Sequence, residues 1–299
     1  MLDTQDSDED KQNVLVAKID NVKNVSQLLK AVHFKESAVV VVTSDGLKVT
    51  VEDSKCVQAN AFIQADMFQQ FVLSQETLSF KINLSVLLEC LNIFGSGGTA
   101  GATTALKMCY AGDGHPLVIV LEESGVLTDC SIKTQLPEDT MDFNFNSSDV
   151  VNKTIIRSDC LREALAEMDG DCDLMELVFC PTPPLLQFAA VGAGIESKVI
   201  VIVFCPTPPL LQFAAVGAGI ESKVEVAGDS DLVELFQCPR TSTSRYRLAL
   251  MKLSLKPLAQ SQKVSLRTDA RGFLCLQYMI KTDDGHICFV EFFCSPEED

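Results

Sequence analysis

Two identical segments stand in tandem in this sequence, and they limit how its second half can fold. Residues 178–199 and 203–224 both read VFCPTPPLLQFAAVGAGIESKV, and Ile200-Val201-Ile202 joins them. Solenoid repeats diverge while keeping a pattern, and they need three or more units to bury a core. Two identical copies instead indicate a recent tandem duplication or an error in assembling the gene sequence, with an evolved functional repeat as the alternative.

The duplication hides a second relationship, between the two halves of the chain. When one 25-residue copy is set aside, residues 149–294 are as long as residues 14–134. We expect a flexible acidic tail at residues 1–13 and a short tail at 295–299. Residues 135–148 are expected to form an ordered connector. The sequence therefore predicts two domains of one design.

Each half alternates strand-like runs with two segments of helical spacing. The expected helices are 24–32, 84–94 with Asn83 as N-cap, 158–168 with Ser158 or Asp159 as N-cap, and 251–259. The expected strands are 38–43, 47–52, 77–82, 105–110, 117–122, 126–133, 175–180, 185–191, 195–199, 220–226, 245–250, 263–268, 272–281 and 286–294. The segments Ser44-Asp45-Gly46 and Asp283-Asp284-Gly285 predict turns.

Composition and charge narrow the class of protein. Apolar residues make up 47% and charged residues 22%, which is typical of a globular chain. The longest apolar run, Val199–Cys205, is far shorter than the ~20 residues of a membrane-spanning helix. The acidic N-terminal segment resembles neither a signal peptide nor a transit peptide. The net charge of −17 argues against a uniformly basic surface for nucleic acid, but it is compatible with a ring that is acidic outside and basic inside.

Metal chemistry and nucleotide chemistry find little support in the sequence. The 12 cysteines form no C-x-x-C pair and the three histidines are scattered, so we expect mostly buried free thiols, no metal and no cofactor. The glycine-rich segment 95–101 follows a predicted helix instead of preceding one, unlike a phosphate-binding loop. Two-metal hydrolysis would need several carboxylates to converge, and the acidic residues available for it are Glu122, Glu123, Asp139, Asp142 and the cluster 169–173, which includes Asp171 and Asp173.

Four segments carry a resemblance to a known family: residues 28–71, 80–96, 137–145 and 264–296, the last reading VSLRTDARGFLCLQYMIKTDDGHICFVEFFCSP. Together they resemble the checkpoint sliding-clamp subunits of the Rad-one family, distantly related to proliferating cell nuclear antigen. The resemblance covers nearly the whole chain, apart from the N-terminal tail and the extra copy. It implies an α+β DNA-clamp fold, with two similar domains of antiparallel sheets and two short helices per domain lining a ring.

The resemblance also implies partners and a role. A clamp loader would place a heterotrimeric ring, made with two related clamp subunits, on double-stranded DNA without sequence specificity. The ring would serve in the nucleus as a non-catalytic platform for checkpoint and repair proteins. The alternative function, which the resemblance also implies, is a 3′→5′ exonuclease with metal-binding carboxylates. A β-rich scaffold unrelated to DNA remains a third alternative.

The basic residues of the predicted helices are the candidate DNA-facing residues. Residues seven or four apart share one helix face, as Lys23 with Lys30 and Lys252 with Lys256 do. Arg157 and Arg162 flank or lie on the third helix. The helix at 84–94 has neither Lys nor Arg, so we expect a weakly basic lining and non-specific phosphate contacts. The alternative is that all six are ordinary solvated side chains.

The resemblance places subunit contacts on two edge strands and a docking surface near the connector. The contact residues would be Val126, Thr128, Cys130 and Ile132 in the first domain, and Ile195, Lys198, Ile220 and Lys223 in the second. Partner motifs would dock near Leu136, Met141, Phe143 and Phe145.

The duplication thus falls at an expected subunit contact. We predict that one copy occupies the sheet, while the other is extruded or extends the sheet edge. The junction 199–204 is uncharged and rich in β-branched residues, so it would favour aggregation if it were left exposed.

Overall fold

The structure is a computed structural model. It describes residues 12–95, 103–168, 173–182, 184–191, 199–203, 210–217, 220–227 and 233–297. Within these ranges no helix is both long enough and apolar enough to cross a membrane. The chain divides into two compact units. The first comprises residues 1–53, 58–141 and 280–290, and the second comprises 54–57, 142–279 and 291–299.

The first unit contains most of the chain before the connector. Its strands are β1 (Leu15–Ile19), β2 (Ser37–Thr43), β3 (Gly46–Asp53), β4 (Val57–Gln64), β5 (Gln70–Leu73), β6 (Leu78–Asn83), β7 (Ala105–Tyr110), β8 (Leu117–Glu123), β9 (Val126–Ile132) and β10 (Thr134–Gln135). Its helices are α1 (Val22–Val32), α2 (Leu84–Leu91) and a 3-10 turn at Ala65–Met67.

Two runs of antiparallel strands build the first unit. One sheet has the order β5-β1-β7-β8-β9, and the other run is β10-β6-β2-β3-β4. Helices α1 and α2 pack against each other. Their buried leucines include Leu28 and Leu84. The rings of Phe80 and Tyr110 are also buried, and their centroids are 4.7 Å apart.

The second unit repeats this inventory with additional strands. Its strands are β11 (Val150–Arg157), β12 (Leu174–Pro181), β13 (Pro184–Val191), β14 (Val199–Val203), β15 (Leu210–Gly217), β16 (Ile220–Ala227), β17 (Val233–Gln237), β18 (Ser242–Arg247), β19 (Lys263–Asp269) and most of β20 (Leu274–Lys281). The last strand, β21 (Ile287–Cys294), is divided, with residues 287–290 in the first unit and 291–294 in the second. Its helices are α3 (Ser158–Glu167), α4 (Leu248–Met251) and α5 (Leu255–Leu258), with 3-10 turns at Ser147–Asp149 and Lys252–Ser254.

Strand order reveals one design used twice. The order β17-β11-β19-β20-β21 has the same sequence relationships as β5-β1-β7-β8-β9. The run β18-β12-β13-β14-β15-β16 corresponds to β6-β2-β3-β4, but it has six strands where the first unit has four. The two surplus strands belong to the duplicated region.

Both copies of the tandem segment lie in this six-stranded sheet. The first copy supplies the second half of β12 and all of β13, and the second supplies β15 and most of β16. Strand β14 forms at the junction and pairs with β13 on one side and β15 on the other. Of the two alternatives, the structure shows extension of the edge. The junction strand has a neighbour on each side, so its backbone is not an exposed edge.

Local signals predicted one helix cap and one turn of the first unit. Asn83 caps α2, because its Oδ1 accepts a hydrogen bond from the Val86 backbone N–H at 3.0 Å. The turn between β2 and β3 requires Gly46, whose φ is +135° and where an added Cβ would lie 2.1 Å from the Ile63 carbonyl oxygen. Helix α1 begins at Val22, two residues earlier than expected, with Asn21 as N-cap.

Two expectations about helices were wrong in the second unit. Helix α3 has Arg157 at its N-cap position and no side-chain cap, and Ser158 is its first residue. The segment expected as one helix at 251–259 is α4, a 3-10 turn and α5 in succession. Pro257 lies in this segment and has no N–H to donate to the preceding turn. The strand expected at 245–250 ends at Arg247, because Leu248 and Met251 turn inward as the first helical turn.

Several strands were not expected, including β1, β4, β5, β11 and β17. Strand β4 shows the reason. Its polar residues Gln58 and Asn60 are buried, and Asn60 accepts a hydrogen bond from the Thr50 hydroxyl at 2.8 Å. When buried polar residues form hydrogen bonds with each other, the strand lacks the apolar–polar alternation on which strand prediction depends.

Candidate nucleic-acid interface and assembly edges

Helix α1 presents the clearest pair of basic residues. Its buried face includes Val25, Leu28 and Leu29, and Lys23 and Lys30 are both exposed. The apolar spacing therefore fixes which face is solvated. The predicted pairing of Lys23 and Lys30 on one solvated side is consistent with the structure, while contact with DNA stays a prediction.

The arginines of α3 differ from each other. Arg157 donates two hydrogen bonds to Asp159, from Nε at 3.2 Å and from Nη2 at 2.5 Å. Partial burial opposes ionisation of Asp159, but the hydrogen bond and charge of Arg157 outweigh it and leave the pKa of Asp159 below its ordinary value. Arg162 is exposed and has Glu163 beside it. A phosphate would have to displace Asp159 to contact Arg157, whereas Arg162 is exposed, and contact of either arginine with DNA stays a prediction.

Lys252 and Lys256 lie in the segment that replaces the predicted single helix. Lys252 begins the 3-10 turn and is half-buried, and Lys256 lies in α5 and is exposed. The spacing argument for one continuous helix face does not apply, since the helix is interrupted between them. Helix α2 has no basic residue, and it exposes Glu89 and Val86.

Strand β9 is an edge of the sheet in the first unit. Its exposed residues include Val126 and Leu127, at 56% and 61%. Thr128 and Cys130 are half-buried, and Ile132 is buried at 4%. The Cys130 thiol is hydrogen-bonded to the thiol of Cys90 in α2. Burial is the main cause, and this hydrogen bond the next, that raises the pKa of Cys90 to about 11. The face predicted for subunit contact therefore turns partly inward.

The outward face of β9 was missed from the sequence. It consists of Leu127, Asp129 and Ser131, all exposed. The alternation of apolar and polar residues along the strand could have revealed this face. The expected contact residues are the more apolar set, and in a strand with one covered face every second, apolar residue faces the core. Ile132 is not an accessible contact residue.

The second expected edge is only partly described. Ile195 and Lys198 lie outside the described residues. Ile220 and Lys223 lie in β16, where they pair with Gly217 and Ala214 of β15. Strand β16 is the terminal strand of the six-stranded sheet.

The connector is anchored within each unit separately. In the first unit, Met141 donates its N–H to Glu52 at 2.6 Å, and its carbonyl accepts from Gln58 at 2.8 Å. Lys81 and Glu138 form an ion pair of 2.6 Å. Leu136 is 75% exposed, so it remains a candidate docking residue together with Met141.

In the second unit the connector ends in an aromatic cluster. Phe143 is buried and lies 5.7 Å from Phe273 and 6.0 Å from Phe293, measured between ring centroids. Phe145 is half-buried and 5.8 Å from Phe293. Phe143 is thus an anchor of the connector, and the expectation that it helps form an accessible docking surface was wrong.

The candidate carboxylates do not converge in the described part of the chain. Glu123 accepts a hydrogen bond from Thr104, Asp139 and Asp142 are exposed, and residues 169–172 lie outside the described ranges. Among the described residues, no group of three or more His, Cys, Asp and Glu side chains is placed to hold a metal ion. The ten described cysteines are free thiols.

The architecture can be compared with solved structures. A PCNA2–PCNA3 complex from Sulfolobus tokodaii superposes with a TM-score of 0.66 at 14% identity, covering 94% of this chain and 99% of that one. This likeness, with the strand order repeated in two units, defines the class: the chain has the DNA-clamp fold.

Sequence comparison identifies the family within that class. The family described as "Repair protein Rad1/Rec1/Rad17" matches residues 14–280. The chain is 49% identical to the mouse "Cell cycle checkpoint protein RAD1", covering 100% of this chain and 98% of that protein. The human protein of the same description is 48% identical, with 100% and 97% covered. The chain belongs to this Rad1 family.

One distant relative has an enzymatic name. The "DNA repair exonuclease REC1" of Mycosarcoma maydis is 20% identical, covering 89% of this chain and 87% of that protein.

Proposed function

We propose that this chain is the non-catalytic Rad1-type subunit of a heterotrimeric checkpoint clamp. With two related clamp subunits it forms a ring around double-stranded DNA, without sequence specificity. A clamp loader places the ring, which then serves in the nucleus as a platform for checkpoint and repair proteins. The observation that carries the proposal is the clamp strand order, present in both units of a chain that belongs to the Rad1 family.

The charge distribution supports encirclement over tight binding. The chain has a net charge of −17, while Lys23 and Lys30 of α1 and Arg162 of α3 are exposed. A few solvated cations give weak, salt-dependent contacts with phosphate. A closed ring adds topological retention that does not depend on these contacts.

Retention on circular DNA tests encirclement directly. The chain is co-expressed with the two related clamp subunits, and the assembly is loaded with clamp loader and ATP onto nicked circular DNA. We expect retention at a salt concentration that removes non-specific binding, followed by release when a restriction enzyme linearises the circle. Equal retention on circular and linear DNA contradicts the proposal.

The β9 edge can be tested in the same assembly. Leu127→Glu places a charge on the outward face of β9, where the side chain is 61% exposed. We expect ring assembly to weaken at least about tenfold, since a charge desolvated at a contact costs more than 1.4 kcal/mol. The matched control is Val72→Glu on β5, the opposite edge of this sheet, where Val72 is 48% exposed. Equal effects of the two variants would rule out β9 as the contact.

The name of the REC1 relative supports a second candidate, a 3′→5′ exonuclease. A nuclease assay on the purified chain, with and without magnesium, tests it. Activity that requires magnesium and disappears in Asp171→Asn and Asp173→Asn would establish the exonuclease. Activity unaffected by these substitutions would indicate a contaminating enzyme.

A further inference from the structure

A cavity of about 660 Å³ opens beside α4 in the second unit. Two basic and two acidic side chains contribute to its wall: Arg247, Lys252, Asp173 and Glu297. Lys252 is one of the predicted phosphate contacts, whereas the sequence analysis did not select Arg247 or Glu297.

Glu297 reaches the cavity because the segment after β21 is held in place. The Glu297 backbone N–H donates to the Arg245 carbonyl at 2.7 Å, and the Ser295 N–H donates to the Cys56 carbonyl at 2.9 Å. Pro296, between them, lies near Gly272: a Cβ added there would be 3.5 Å from the Pro296 ring. These contacts hold the Glu297 carboxylate next to the end of β18.

The Glu297 carboxylate forms a bidentate ion pair with the Arg247 guanidinium. Arg247 donates from Nε to one Glu297 oxygen at 2.8 Å and from Nη2 to the other at 2.9 Å. A guanidinium binds a phosphate group with the same paired geometry. The hydrogen bond from Arg247 is the main reason that the pKa of Glu297 lies below its ordinary value. The carboxylate is therefore ionised at neutral pH and competes with any anion for Arg247.

The pair is placed so that an incoming anion can replace it. The side chains of Arg247 and Glu297 are 55% and 37% exposed, so solvent reaches both. Exposed ion pairs contribute little stability, and opening this one costs little. Lys252 lines the same cavity and is half-buried. Once Glu297 moves aside, Arg247 and Lys252 are the two basic side chains of a wall that also includes the Asp173 carboxylate.

We propose that Glu297 is an intramolecular competitor for phosphate: a backbone phosphate of DNA displaces its carboxylate from Arg247 and gains Lys252 as a second contact. The inference rests on the proposed function, because it takes the α4–α5 side of the second unit to face DNA. It adds a phosphate-binding residue, Arg247, and a built-in restraint on the DNA affinity of the subunit.

Titration of the full-length chain with a short fluorescent duplex at low salt tests the proposal. Glu297→Gln removes the competing charge while keeping the side-chain size. Its matched control is Glu234→Gln on β17, outside the cavity, which removes a 46% exposed carboxylate from its ion pair with Lys263 of β19; Glu297 is 37% exposed. A third protein combines Glu297→Gln with Arg247→Ala.

We expect Glu297→Gln to bind the duplex at least about threefold more tightly than Glu234→Gln. Its plot of log affinity against log salt should steepen by about 0.9, the value for one further phosphate contact. The gain should vanish in the double variant. Any of three results overturns the proposed restraint. They are equal affinities of the two single variants, a gain in affinity that survives Arg247→Ala, and the absence of salt-dependent binding by Glu297→Gln.

The same titration distinguishes this proposal from the proposed function. The double variant Lys23→Ala/Lys30→Ala tests phosphate contacts that do not involve the cavity. If it weakens binding while Glu297→Gln has no effect, the restraint fails and the DNA-facing function stands. If Glu297→Gln strengthens binding through Arg247 while the α1 lysines have no effect, the restraint stands and the assignment of α1 fails.

Discussion

Arg271 shows how a single side chain holds the end of the connector. Its guanidinium donates to the Phe143 carbonyl at 2.9 Å and to the Asn144 carbonyl at 3.2 Å. It also bonds Asp269, whose carboxylate is buried, at 2.9 Å, and lies 4.6 Å from the centroid of the Phe273 ring. The aromatic cluster therefore depends on one cation as well as on apolar contacts.

Arg271→Ala should destabilise the protein by about 1–3 kcal/mol, because it removes charge-assisted hydrogen bonds and leaves a buried carboxylate with fewer partners. Urea unfolding measures the change. The control, Arg240→Ala at an exposed position, should change stability by less than about 0.5 kcal/mol. Equal stabilities of the two variants would show that Arg271 does not anchor the connector.

Buried thiols make stability sensitive to alkaline pH. Burial raises the pKa of Cys160, Cys275 and Cys294 to about 12 in each case. An unfolded thiol loses its proton near pH ~8.5. Between these values the folded state binds more protons than the unfolded state, so the free energy of unfolding falls as pH rises. Below about pH 8 both states are protonated and this stabilisation is fully present.

Each buried thiol should contribute a slope of about −1.4 kcal/mol per pH unit between about pH 9 and 12. Urea unfolding at a series of pH values measures the slope, which should be smaller in Cys275→Ala and in Cys294→Ala. Val264→Ala, which shortens a buried side chain that has no titratable group, should leave the slope unchanged. An unchanged slope in both cysteine variants contradicts the prediction.

At the scale of elements, the start of α2 depends on one cap. The Asn83 Oδ1 atom accepts a hydrogen bond from the Val86 N–H, and the first turn contains no acidic residue that would assist it. We expect Asn83→Ala to cost about 1 kcal/mol, while Asn83→Asp, which retains an acceptor, should cost much less. Urea unfolding of both variants checks this. Equal losses would mean that the cap hydrogen bond contributes no net stability.

The duplicated region permits a sharper element-scale prediction. Deletion of residues 200–224 joins Val199 to Glu225 and leaves one copy of the tandem segment. The sheet should then have four strands, like β6-β2-β3-β4, with the final strand on β13 in the register that β16 now has on β15. We expect the deletion variant to fold with an unchanged or higher melting temperature. Backbone amide protection should persist in residues 185–191.

The deletion also tests the assembly edge. Strands lie about 4.8 Å apart, so two surplus strands place the terminal strand about 10 Å farther from β13. We expect the deletion variant to assemble with the related subunits at least as well as the full chain. Unfolding of the variant would show that the second copy is a required part of the domain.

At the scale of the whole molecule, a net charge of −17 coexists with a few solvated cations on the helices. In the assembled ring, Lys23→Ala/Lys30→Ala should lower the salt dependence of duplex binding by about 1.8, or about 0.9 for each lost phosphate contact. Lys35→Ala/Lys55→Ala removes equal charge from positions outside the helices and should have a smaller effect. Retention on circular DNA should be almost unchanged in both, since encirclement is topological.

The amino-acid sequence was enough to predict the features that depend on neighbours in the chain. The apolar spacing of α1, the Asn83 cap, the turn at Gly46 and the doubled length of the tandem segment were all predictable. The resemblance of the chain then indicated the clamp fold, which the strand order and the structural comparison confirm. These signals are local, or are carried by whole segments, and need no knowledge of tertiary contacts.

Only the tertiary structure decided which side chains are available. It buries Phe143, turns the apolar face of β9 inward, and lets Gln58 and Asn60 satisfy each other inside a strand that the pattern did not predict. It also brings Glu297 to Arg247, 50 residues apart in the chain. The physical reason is the same in each case: burial and pairing depend on groups distant in sequence, and periodicity records only which residues are apolar.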